Sequence, residues 1–143
     1  MKKMMILMLG IFAFSVIMVG REKPVTPDQL PAAAKTYIKT NFAGDKVVLA
    51  IVDDDLIRPD YEVRLASGVE LQFDNAGALE KVASRKGISA DLIPQSIRDY
   101  VSALYPNAGY REYEISRRTY EVTLSNGMEL KFNSSFQILE IDD

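Results

Sequence analysis

Carboxylates are the side chains in this sequence best placed to do chemistry. Asp53, Asp54 and Asp55 stand in a run, with Asp60 shortly after. Clustered oxygens of this kind can hold Ca2+, which takes six to eight of them. Asp53, Asp55 and Asp60 are the candidate ligands. The run lacks the EF-hand spacing, its glycine and its closing glutamate, so a solvated loop is expected and no metal is assigned. Glu62 and Glu70, with Glu121 and Glu129, form a second set. Paired carboxylates act as general acid and base when burial raises one of their pKa values. Here Arg64 and Lys131 stand nearby as cations and nothing in the pattern signals burial. The expectation is therefore an exposed charged face that pairs its own charges or contacts a partner, not a catalytic site. Tyr110, Arg111, Tyr113, Arg117 and Arg118 make an aromatic and basic cluster, a composition favoured at protein interfaces. Strict alternation sets Tyr110 and Tyr113 on opposite strand faces, so at least one belongs to the core. The candidate protein-contacting residues are Glu62, Arg64, Glu70, Glu121, Lys131, Tyr110 and Arg111.

Composition removes most other chemistries. The chain of 143 residues contains no His, Cys or Trp. Zinc sites, thiol nucleophiles and histidine triads are excluded with them. Glycine loops for phosphate or dinucleotide are absent as well, and no cofactor is expected. A net charge of −3 without a basic, aromatic-rich face argues against nucleic acid as a partner. No catalytic constellation is present, and the chain is not expected to be an enzyme.

The elements that position these residues are repeated. Tyr61–Phe73, YEVRLASGVELQF, returns as Tyr120–Phe132, YEVTLSNGMELKF, with eight of thirteen positions identical at an offset of 59. Period-two alternation of aromatic and aliphatic residues predicts two strands with one buried face. The link Ala66-Ser67-Gly68, or Ser125-Asn126-Gly127, suits a three-residue loop with a left-handed glycine. That loop sets Val63 opposite Leu71 and Tyr61 opposite Phe73. A two-residue loop would mix the faces. The other face then sets Arg64 opposite Glu70 and Glu121 opposite Lys131.

Residues 1–20 read as an export signal, with Lys2 and Lys3 before an apolar run from Met4 to Val19. An uncut anchor is the alternative, although the run is short for a membrane span. Arg21 stands where a lipoprotein would carry its acylated cysteine. Residues 21–25 read as a linker, 26–83 as a first repeat, 84–87 as a second linker and 88–143 as a second repeat. Each repeat opens on a capped helix start, Thr26-Pro27-Asp28 or Ser89 with Asp91. Leu30, Ala34, Tyr37, Ile38 and Phe42 form the first helical stripe, and Ile93, Ile97, Val101, Leu104 and Tyr105 the second. Strands are expected near 46–52 and 110–115, at the two hairpins, and near 79–83 and 138–141. The fold class is α+β: two tandem α-β4 repeats, with helices on one face of an antiparallel sheet joined into eight strands, and a polar opposite face.

The signal, the two helix-plus-four-strand repeats, the Leu-Pro and Ile-Pro helix starts and the duplicated hairpin followed by Phe73-Asp74-Asn75-Ala76-Gly77 resemble a known family. The chain is similar to the β-lactamase-inhibitor-like, PepSY-like periplasmic proteins of Bacteroides-type bacteria. The resemblance implies a fold like that of β-lactamase inhibitory protein and an exported, non-enzymatic binding domain, periplasmic or secreted. Its partner would be another envelope protein, and it would not insert in the membrane once the signal is removed. The absence of cysteine departs from the disulfide-bonded inhibitor, and no stretch matches that inhibitor's contact loops. The alternative is an envelope sensor or carrier for a small ligand or Ca2+, using the Asp53–Asp60 loop.

Overall fold

The computed structural model describes residues 22–53 and 59–143. The expected signal, Arg21 and the loop residues Asp54 and Asp55 lie outside the described residues. The described chain divides into two compact units, one ending at Val82 and one beginning at Ala83.

The first unit opens on strand β1 (Glu22–Pro24), so residues 22–24, expected in a linker, pair along β2. A 3-10 turn (Pro27–Gln29) follows, in which the Thr26 N–H donates to Gln29 Oε1 at 2.8 Å. Pro31 then starts helix α1 (Ala32–Asn41). Next come β2 (Val47–Asp53), β3 (Asp60–Leu65), β4 (Glu70–Phe73) and the start of β5 (Leu79–Ile88). The residues 84–87, expected as a link, lie inside β5. Their polar composition, Ser-Arg-Lys-Gly, hides a strand that alternation alone does not signal.

The second unit has a 3-10 turn (Ala90–Leu92) capped by Ser89, whose Oγ accepts from the Asp91 N–H at 3.1 Å. Helix α2 (Gln95–Leu104) follows, then β6 (Tyr110–Ile115), β7 (Thr119–Leu124), β8 (Glu129–Asn133) and β9 (Ile138–Asp142). The strands are hydrogen-bonded in chain order from β1 to β9, one more than the eight expected.

Both hairpins take the expected register. Tyr61 faces Phe73 and Val63 faces Leu71; Tyr120 faces Phe132 and Val122 faces Leu130. The loop glycines Gly68 and Gly127 have φ of +99° and +90°, the left-handed region that a side chain resists. In each unit the helix covers the apolar face of its hairpin. Leu30, Ala34 and Ile38 are buried with Val63, Leu65, Leu71 and Phe73, and Ile93, Ile97 and Val101 with Val122, Leu124, Leu130 and Phe132. Each large apolar side chain so buried contributes about 1.5–3 kcal/mol. Tyr37 meets Phe73 edge-on at 5.9 Å, and Tyr100 meets Phe132 at 5.5 Å. Leu104, expected in the second stripe, is 48% exposed. It is the last residue of α2.

The turns after the hairpins share one device. Asp74 Oδ1 accepts from the Ala76 and Ala78 N–H groups, and Asn133 Oδ1 from those of Ser135 and Gln137. At the fourth turn position they differ. Gly77 sits at φ +90° against α1, where a Cβ would come within 2.8 Å of the Ala34 nitrogen. Its counterpart Phe136 holds φ of 65° and stacks on Tyr120 at 4.9 Å.

Candidate functional site

In each unit the sheet face away from the helix carries the charged candidates. In the second unit this face is ruled into two rungs by the strand register. One rung runs Glu112, Thr123, Glu129, Asp142 across β6, β7, β8 and β9; the next runs Glu114, Glu121, Lys131, Glu140. Six carboxylates therefore share these eight positions with one lysine. The sequence places their counterparts in the first repeat, residues 26–83, at fixed offsets. Glu112 and Glu114 match Leu49 and Ile51; Glu121, Thr123, Glu129 and Lys131 match Glu62, Arg64, Glu70 and Gln72; Glu140 and Asp142 match Lys81 and Ala83. Those eight places hold two carboxylates, two cations, one amide and three aliphatic side chains.

The charges settle differently as a result. In the first unit Arg64 Nη2 donates to Glu70 Oε2 at 2.7 Å, as the sequence indicates. Gln72 Nε2 donates to Glu62 Oε2 at 3.3 Å. Burial raises the Glu70 and Glu62 pKa values. Both stay raised: Arg64 and Lys81 oppose the shift of the first while Glu62 adds to it, and the Gln72 hydrogen bond and Lys81 oppose that of the second while Glu22 and Asp53 add to it. The face is not wholly polar as expected, because Ile51 lies on it and is buried.

In the second unit the first rung is buried in full: Glu112, Thr123, Glu129 and Asp142. Glu129, expected on an exposed face, retains only 4% of its accessibility and Asp142 7%. The two stand directly opposite each other on β8 and β9. Glu129 Oε1 and Asp142 Oδ2 are buried without a hydrogen-bond partner. Burial, then the charges of Glu121, Asp142, Glu140 and Glu114, push the Glu129 pKa from 4.5 up to about 7. Thr123, which stands where the first unit has Arg64, brings no charge; its Oγ1 donates to Glu112 Oε1 at 3.4 Å. Sequence reasoning missed Glu112, Glu114, Glu140 and Asp142 as members of this face. The signal was available, because the same offsets that reveal the duplication show Arg64, Lys81 and Ala83 exchanged for Thr123, Glu140 and Asp142.

The other candidates fall elsewhere. Tyr110 and Tyr113 do not lie on opposite faces. A bulge between Tyr110 and Glu112 pairs Tyr110 with Leu124 and Tyr113 with Val122, which sets both on the core side. Tyr110, a candidate contact residue, is buried on that side. Arg111 occupies the bulge and donates from Nη2 to the Ser125 carbonyl at 2.6 Å. It lines a groove of about 420 Å³ with Arg85 and Lys86. Arg117 and Arg118 are exposed on the turn between β6 and β7. Asp53 and Asp60 face each other at the end of β2 and β3, with Glu22 beside Asp53. Burial, then Asp53 and Asp74, raises the Asp60 pKa. Among the described residues no three carboxylates converge as a metal site, there or elsewhere.

The chain matches the family described as "Putative beta-lactamase-inhibitor-like, PepSY-like" over residues 17–81 and again over 59–140. Solved structures agree. A periplasmic protein of the DUF2874 family from Bacteroides vulgatus is 35% identical over 88% of this chain and 100% of its own, with a TM-score of 0.83. A protein from Bacteroides thetaiotaomicron, named as a putative calcium-regulated periplasmic protein, is 36% identical over 85% of this chain and 97% of its own, at 0.81. A second B. vulgatus periplasmic protein, described as of unknown function, is 31% identical over 85% and 99%, at 0.80. No curated protein gives a significant match. Among the described residues no helix is long and apolar enough to cross a membrane. The location is periplasmic or secreted, as expected, and these relatives are described as periplasmic. The duplicated hairpin, the helix over each apolar face and these matches lead to one statement of kinship: the chain belongs to the PepSY-like, beta-lactamase-inhibitor-like family.

Proposed function

We propose that this protein is a non-enzymatic periplasmic binding domain that contacts another envelope protein through the open face of its sheet. The observation that carries the reading is the concentration of carboxylates on β6–β9, six against one lysine. Like charges facing one another across strands destabilise a sheet. A fold keeps such a face when something outside it gains from the charge. Electrostatic complementarity then calls for a partner with a basic contact surface. The half-exposed rung Glu114, Glu121, Lys131 and Glu140 offers the contacts, with Glu62, Arg64 and Glu70 as the candidates of the first unit. No nucleic acid is implied by a face of this sign.

The test is capture from periplasmic extract at two salt concentrations. The intact protein should retain one envelope protein that high salt releases, and Glu114→Lys/Glu121→Lys should lose it. Capture indifferent to both salt and charge reversal overturns the reading. So does turnover on a hydrolase panel that survives repurification.

A second reading, response to a divalent cation, is supported by the B. thetaiotaomicron relative, which is named as calcium-regulated. The loop from Asp53 to Asp60 is one place for it. Asp53 and Asp60 are paired across strands, and Asp55 lies outside the described residues.

A further inference from the structure

We propose that Glu129 and Asp142 form a binding site for a hard divalent cation of the Ca2+ class, seated between β8 and β9 on the open face of the second unit. This deepens the cation reading above by naming the place.

The argument starts from geometry. The two residues are direct cross-strand partners, and such partners have Cβ atoms about 4.5–5.5 Å apart. Both side chains are more than nine-tenths buried, and each holds one oxygen, Glu129 Oε1 and Asp142 Oδ2, with no hydrogen-bond partner. The other Asp142 oxygen, Oδ1, accepts from the Asp143 N–H at 2.9 Å. A buried acceptor left unsatisfied costs about 1–3 kcal/mol, and two facing carboxylates repel besides. One proton shared between the two oxygens satisfies both only while one of the carboxyls stays un-ionised. A cation between them satisfies both and removes the repulsion.

The first unit shows what this position accepts. There the counterpart of Glu129 is Glu70, and the Arg64 guanidinium lies 2.7 Å from it. The second unit has Thr123 in place of that arginine and Asp142 in place of Ala83. One position is thus served by a built-in cation, while the other has exchanged it for a hydroxyl and added a carboxylate.

The donor set selects the ion. All donors are oxygen, and the chain has no His or Cys, which suits Ca2+ or Mg2+ over softer metals. Two carboxylates supply at most four oxygens, and among the described residues no third converges with them, so water must complete the shell. Ca2+ tolerates that irregularity better than Mg2+, which demands octahedral geometry. Sites this sparse sit at the weak end of the Ca2+ range, a Kd of about 10⁻⁴–10⁻³ M.

The experiment uses the exported chain, stripped with chelator, titrated with CaCl2 by calorimetry and followed by thermal melting. MgCl2 and NaCl at matched ionic strength run alongside. Ca2+ should bind in that range and raise Tm more than either control. Glu129→Gln and Asp142→Asn, which keep side-chain volume, should each weaken binding at least tenfold. Thr123→Arg, which copies the first unit, should abolish the response, whereas Asp53→Asn/Asp60→Asn should leave it intact. Ca2+ binding that survives Glu129→Gln and Asp142→Asn but is lost in Asp53→Asn/Asp60→Asn overturns this site and keeps the cation reading. A Tm gain equalled by NaCl, or none at 10 mM Ca2+ in the unaltered chain, overturns both.

Discussion

The two units share a hairpin in sequence and register, and they differ most on the face that the helix does not cover. On the apolar side Val63, Leu71 and Phe73 are answered by Val122, Leu130 and Phe132, all buried. On the other side the same strands carry balanced charges in one unit and six carboxylates with one lysine in the other. Packing a helix on a sheet fixes shape, so the apolar side has little room to change. The opposite side is free of that demand. Its charges differ while the register of the hairpin that displays them stays the same.

If the apolar sides are equivalent, truncating them must cost the same. Phe73→Ala and Phe132→Ala should each lose about 3–5 kcal/mol in urea denaturation. A difference of more than half that range would break the equivalence.

The acidic face gives the next largest effect. The folded Glu129 carboxyl, at about 7 against 4.5 unfolded, holds its proton more tightly than the unfolded chain does. In chelated buffer its contribution is therefore fully present below about pH 4.5 and lost as pH rises through about 7. Glu129→Gln should flatten this part of the stability–pH curve and gain up to about 3 kcal/mol above neutrality. A parallel curve for the variant would show that Glu129 ionises at no cost. The groups that face it are Glu112, Thr123, Asp142, Glu114, Glu121, Lys131 and Glu140.

The turns after the hairpins sharpen the contrast. Gly77→Ala puts a Cβ against the Ala34 nitrogen at positive φ and should cost about 2 kcal/mol. Phe136→Gly relieves a left-handed backbone while losing a ring stack on Tyr120, so it should change stability by less than about 1 kcal/mol. Arg64→Thr, which imitates Thr123, has an effect of similar size. The ion pair is partly exposed, so its loss should cost about 1 kcal/mol, read by urea melts.

Much of this was legible in residue order. The three-residue loop with glycine last forces the register of both hairpins, and Ser89 marks its helix start because its hydroxyl meets an orphan N–H. Other features leave no trace in alternation. A bulge adds one residue to one strand, and the bulges after Val47 and Tyr110 shift every later side chain by one. That is why Tyr110 and Tyr113 share the core side. Glu129 is flanked by side chains of two neighbouring strands, β7 and β9, which no local window contains. Residues 84–87 read as a link because strands with polar composition lack the apolar signal on which strand recognition rests.

The order of the strands has a bearing on how the protein reaches its folded state. Each strand after the first pairs with its predecessor in the chain; the hairpins close over short turns, whereas β1 with β2 and β5 with β6 join only across a helix. Closing short loops is entropically mild, and topologies rich in local pairing fold quickly. The hairpins can then form first as local ribbons, and the two joins across a helix set the pace for the rest.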